Sequence, residues 1–227
     1  MFEASQHPVL NLLLLHPKAR YTIFPTMITE VFFDVETKTF FDESGASKPE
    51  ELGISIVSLY RRTLDENLNE KEGKMYSFWE NELPQMWDLF LDAQRIIGFN
   101  SIRFDVPALK PYSPPFFSKL PHFDILQEVK KVFGKRVSLD NIGRETLGIT
   151  KIDNGANAVL YSQKGDNKSL SLLKKYCEAD VDLTRRIYDF ALKNKKLRFK
   201  DHWNNPQEIE VDFSYNKTEE KPQLGLF

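Results

Sequence analysis

One cysteine in 227 residues, a near-zero net charge and no long apolar run are the chain's conspicuous shortages. A lone Cys177 rules out an intramolecular disulfide and a thiolate zinc cage, so a reducing, cytoplasmic setting is the simplest expectation. The formal charge of −2 argues against strong non-specific phosphate binding and leaves nucleic acid only a local basic groove. The apolar run near the start, PVLNLLLLHP, is too short to span a bilayer and lacks the basic region and cleavage site of a signal peptide, so no membrane partner is expected. His7, His16, His122 and His202 show no ligand-pair spacing and read as structural or exposed. No internal repeat appears, which excludes a solenoid.

What is present suits one globular domain: 41% hydrophobic and 28% charged residues. Residues 1–26 read as an extension, either from an upstream start codon or as a helix packed on the core, the former preferred. Then ITEVFFDVET and GISIVSLYRRT carry the β-branched and aromatic pattern of strands, and LDENLNEKEGK reads as a turn before a short strand MYSFW. In NELPQMWDLFLDAQ, Leu83, Met86, Trp87, Phe90 and Leu91 form the stripe of an amphipathic helix. RIIGFN reads as a strand and RFDVPALKPY as a short helix interrupted by Pro107 and Pro111. FDILQEVKKVF, SLDNIGRETLG and the long stretch from Lys168 to Lys196 read as helices, the second capped by Gly148. A peripheral strand follows within LRFKDHWNNPQEIEVDF, and 201–222 reads as a peripheral segment and flexible linker after a domain of 27–200. Strands first, then alternating helices and strands, indicate an α/β domain with a mixed β-sheet flanked by α-helices.

The informative anomaly is VFFDVETK. Asp34 and Glu36 are two apart, so in a strand they share a face, and the apolar run around them reads as buried. Asp105 follows a second apolar strand, while Tyr176 and Asp180, four apart in YCEAD, share one face of the long helix. Asp180 stands on the apolar stripe beside Leu173 and Cys177, where a carboxylate needs a reason. Four converging carboxylates repel unless a cation lies among them. Oxygen donors without His or Cys partners favour Mg²⁺ or Mn²⁺, and a pair of such ions is the clamp for in-line displacement at phosphate.

These motifs resemble the DEDD superfamily of proofreading-type 3′–5′ exonucleases, which has a ribonuclease H-like fold. The resemblance is closest to the exonuclease domain of family B DNA polymerases and its stand-alone bacterial relatives. FDVET matches the first motif, GFNSIRFDVPAL the second and YCEADVDLT the third, whose Tyr-x-x-x-Asp form marks the tyrosine subclass; SLDNIGRETLGITK is similar to the intervening segment. The similarity runs over roughly residues 27–195. It implies that Asp34, Glu36 and Asp180 hold one of two Mg²⁺ or Mn²⁺ ions, that Asp34 and Asp105 serve the second, and that Tyr176 orients the attacking water. Asn100 and Phe104 match positions that hold the terminal nucleotide. The closing QLGLF resembles the peptide by which bacterial replication and repair proteins bind the sliding clamp, with Gln223 as polar anchor and Leu224, Leu226 and Phe227 filling a pocket. The resemblance implies a DNA exonuclease of replication or repair. An exoribonuclease of the same mechanism and a non-catalytic clamp adaptor are the rivals. Lys130, Lys131, Lys135 and Arg136 are candidates for a nucleic-acid groove that the sequence alone does not place.

Overall fold

In a computed structural model, residues 27–215 are described. The expected extension at 1–26 and the clamp-like peptide at 223–227 lie outside them. The core is a five-stranded sheet of β1 (Ile28–Thr37), β2 (Ile54–Leu64), β3 (Glu70–Trp79), β4 (Arg95–Gly98) and β5 (His122–Asp124), in the order β3-β2-β1-β4-β5. β1, β2 and β3 pair antiparallel, whereas β1–β4 and β4–β5 pair parallel, so the sheet is mixed.

β1 is central and covered on both faces, which explains its unbroken apolar start. Val31, Phe33 and Val35 face one hydrophobic cluster with Phe90 and Phe117, and Phe32 faces the other with Ile187 and Tyr188. Among the described residues six α-helices surround the sheet: a single turn α1 (Phe41–Ser44), α2 (Asp105–Leu109), α3 (Ile125–Phe133), α4 (Leu139–Leu147), α5 (Gly155–Lys164) and the long α6 (Asn167–Asn194). α6 packs on the Phe32 face, with the Tyr188 hydroxyl 2.8 Å from Glu30 and the Cys177 sulfur 3.6 Å from the Asp34 carbonyl. One face of β1 therefore delivers Glu30, Phe32, Asp34 and Glu36 to α6 in alternation.

Several local expectations change. The stripe of residues 83–91 forms two 3₁₀ segments, Glu80–Gln85 and Trp87–Phe90, instead of one α-helix. Pro84 lacks an N–H and obstructs the carbonyl four residues back, so no continuous α-ladder forms. Three-residue spacing still buries Leu83 with Met86 and Trp87 with Phe90, and leaves Leu91 exposed. Pro107 does not interrupt its helix, because it sits in the first turn of α2, where N–H groups have no helical partner. β3 begins at Glu70, earlier than the expected start at Met75, as a polar edge strand. α5 has no counterpart in the sequence pattern, and β5 takes Phe123 and Asp124, which the pattern places in the following helix. The break expected at 200 falls inside a hairpin of β6 (Lys196–Lys200) and β7 (Pro206–Glu210), and Phe213 beyond it is buried in the core.

A buried charge network fixes the opposite end of β1. Glu30 receives Arg62 Nε at 2.7 Å, Tyr188 Oη at 2.8 Å and Tyr215 Oη at 2.5 Å, and Arg62 also grips Asp189 at 2.6 Å. No helix among the described residues is long and apolar enough to cross a membrane.

Candidate active site

The site lies at the carboxyl ends of the parallel strands, the usual location of ligand crevices in open α/β sheets. β1 presents Asp34 and Glu36 toward α6. Asp105 opens α2, and its Oδ1 accepts the Val35 N–H at 3.1 Å, which ties the second motif to the first. Tyr176 and Asp180 project from adjacent turns of α6 and are both buried. All five residues singled out in the sequence thus meet at one place.

Their charges do not settle by themselves. Burial, followed by repulsion from Asp180, pushes the Asp34 carboxyl up to about 7. Glu36 and Asp105 are raised well above the ordinary range, first by burial and then by Asp34. Asp180 is raised by burial and drawn back by Lys151. The Lys151 ammonium is bonded to Asp180 and stands 3.1 Å from the Tyr176 hydroxyl. Four carboxylates thus face one ammonium. Burial and the surrounding anions drive the Tyr176 phenol upward, so it stays a neutral hydrogen-bonding group.

Oxygen atoms of Asp34 and Glu36 and the Cys177 sulfur all lie within 4.8 Å of one another. Burial and the two carboxylates hold Cys177 firmly as a thiol, which points at the Asp34 carbonyl. The donors available to a cation are consequently hard carboxylate oxygens, in surplus over the neighbouring ammonium. That set fits Mg²⁺ or Mn²⁺ and not a thiolate metal.

Two clefts flank the carboxylates. One, of about 450 Å³, is lined by Asp34, Phe99, Asn100, Arg136, Asp140 and Lys151. The other, of about 280 Å³, is apolar apart from Glu36 and two threonines and contains Phe41, Phe104 and Val159. Asn100 lines the first cleft and Phe104 the second, although one turn joins them, with the Phe104 N–H 3.0 Å from the Asn100 carbonyl.

Two residues of this site escaped the sequence reading. Lys151 closes the stretch SLDNIGRETLGITK, but a single lysine in a loop suggests no role of its own. Asp124 did carry a signal: an aspartate directly before an apolar helical run is an N-cap signature. It caps α3 through the Leu126 N–H at 2.9 Å and also accepts the Asn100 N–H at 2.8 Å and the Ile102 N–H at 3.1 Å. Those bonds hold Asn100 at φ +65°, a left-handed conformation that asparagine tolerates and that bends the chain from β4 toward the cleft. Gly98, two residues earlier, makes the bend possible: a Cβ there would lie 2.4 Å from Ser101 Cβ.

A search of curated proteins finds no match for this chain. A family model of the ribonuclease H superfamily, RNase_H_2, matches residues 31–192, from β1 to the last turn of α6, and so spans all five site residues. With a mixed sheet in this order and helices on both faces, the chain belongs to the ribonuclease H superfamily, a membership consistent with nuclease chemistry.

Proposed function

We propose that the protein is a metal-dependent 3′–5′ exonuclease that hydrolyses phosphodiester bonds at DNA 3′ ends. One observation carries the reading: Asp34, Glu36 and Asp180 gather around Tyr176, Asp105 stands beside Asp34, and these four carboxylates from three separate elements have too little positive charge to balance them. Asp34, Glu36 and Asp180 would hold one Mg²⁺ or Mn²⁺, and Asp34 with Asp105 the second. Ions bound at such a set acidify a coordinated water and neutralise charge that develops on phosphate.

The chain's own residues do the rest. Tyr176, neutral and hydrogen-bonded to Asp180, orients the attacking water through its hydroxyl and does not serve as a base. Lys151 holds Asp180 and Tyr176 in register through its ammonium. Asn100 contacts the terminal nucleotide from the polar cleft, and Phe104 supports it by stacking from the apolar one. The setting is replication or repair, and Gln223, Leu224, Leu226 and Phe227 tether the enzyme to the sliding clamp, raising its effective concentration at DNA.

Product analysis tests the reading. Single-stranded DNA incubated with Mg²⁺ should release nucleoside 5′-monophosphates, and chelation of the metal should stop release. Liberation of internal oligonucleotides instead of mononucleotides would make the protein an endonuclease and refute the exonuclease assignment.

A further inference from the structure

Beyond the matched family region, the β6–β7 hairpin carries the most exposed large apolar side chain of the described residues, Trp203, at 69% of its full accessibility. The Lys135 ammonium lies 5.3 Å from the centre of its ring, and His202 packs beside it. Arg136 and Lys200 complete the basic face; a cleft of about 190 Å³ is lined by Lys135, Arg136, Lys200 and His202. Among the described residues neither Lys135 nor Arg136 has an ion-pair partner, whereas Lys200 is shared with Glu145 at 3.5 Å. The one acid in this cleft, Asp201, is consumed by the hairpin turn: its Oδ1 accepts the N–H groups of Trp203 and Asn205, each at 2.9 Å.

The position of this patch gives it meaning. Arg136, Val137 and Ser138 line both this cleft and the larger one that contains Asp34, so the two adjoin along that segment. The hairpin is also fixed to the scaffold. Asn141 on α4 bonds both the Lys200 carbonyl, at 2.7 Å, and the Lys200 N–H, at 2.9 Å, and Thr146 does the same for Arg198 at 2.8 and 2.9 Å. Phe133 meets Phe199 with ring centres 4.7 Å apart. An exposed indole with unpaired cations, rigidly joined to a catalytic cleft, has the makings of a sequence-independent single-strand platform: rings for bases, ammonium and guanidinium groups for phosphates.

We infer that Trp203, Lys135 and Arg136 bind the single-stranded segment of the substrate on the 5′ side of the nucleotide being removed. The inference rests on the nuclease reading for its direction toward the cleft, but the surface can be tested without catalysis. Trp203 is exposed and Lys135 lies in a loop, so alanine there leaves the core intact, which equal thermal midpoints will verify.

In chelator, binding of fluorescein-labelled oligothymidylate is measured for wild type, Trp203→Ala and Lys135→Ala across a salt series. Loss of one stacked base should weaken binding about tenfold in Trp203→Ala. Loss of one phosphate contact should flatten the log–log salt dependence by about 0.7 in Lys135→Ala. With Mg²⁺, both variants should lose more of their cleavage rate on a long oligothymidylate than on a dinucleotide. Unchanged affinity and salt slope in both variants would overturn the inference, whether or not the wild type cleaves. Absence of cleavage with hairpin-dependent binding would refute the nuclease reading and leave the platform standing.

Discussion

Replacing Asp34 by asparagine should stabilise the metal-free protein while abolishing its function. The carboxyl is raised from 3.8 to about 7, with burial the first cause and Asp180 the second. The sign follows from proton binding. Between those two values the folded protein holds the proton more tightly than the unfolded chain, so metal-free stability falls as pH rises from about 4 through 7 and the full penalty persists above. At about 1.4 kcal/mol per unit, the penalty of an ionised Asp34 is about 4.5 kcal/mol, part of which its coupled neighbours share. The amide of Asp34→Asn keeps the shape without the charge, so we expect a gain of about 2 kcal/mol at pH 8, or about 4–8 °C in melting temperature for a domain of this size. At pH 4 the gain should disappear. The assay is thermal unfolding in chelator at both pH values, repeated with saturating Mn²⁺. Wild type should gain about 2.7 kcal/mol at one hundred times Kd, and the variant much less. A variant less stable than wild type at pH 8 without metal would refute the reasoning, since the carboxylates would then be satisfied by the protein itself.

Three other perturbations probe separate parts of the account. Tyr176→Phe removes the hydroxyl beside Lys151 and Asp180 but keeps the ring; kcat should drop about a hundredfold with little change in melting temperature. Glu30→Gln leaves Arg62 under-compensated in the core and should cost about 3 kcal/mol in urea unfolding, whereas Glu30→Leu combined with Arg62→Met should recover part of that loss in a double-mutant cycle. Burial lowers the proton affinity of His122, so the unfolded chain binds more protons and stability falls as pH drops below about 6.5. His122→Gln retains a donor for the Phe117 carbonyl, held at 2.8 Å, and should lessen that acid-side slope in urea midpoints.

The elements that carry the site were legible because their residue patterns conflict with burial. Asp34 and Glu36 in an apolar strand, and Asp180 on the apolar face of α6, break the local rule, and the fold brings those violations together. The parallel strand β5 was hidden because three residues, His122–Asp124, run directly into the helix they precede. Residues 80–90 misled because three-residue spacing serves both α- and 3₁₀-helices, and only Pro84 distinguishes them. The role of Lys151 was hidden for a different reason: its contact with Asp180, 29 positions away, exists only once α6 is docked. The basic residues of α3 and the following loop were visible, but only the hairpin's attachment to α4 shows that Lys135 and Arg136 face the same way as Trp203.

The most direct measurement is degradation of 5′-labelled single-stranded DNA and RNA of matched sequence, with Mg²⁺ or Mn²⁺, by wild type and Asp34→Ala. We expect a ladder that shortens from the 3′ end on DNA and vanishes in the variant. A ladder on RNA alone would move the activity to RNA processing. No ladder on either strand, from folded protein with both metals, would contradict the account and leave a non-catalytic adaptor.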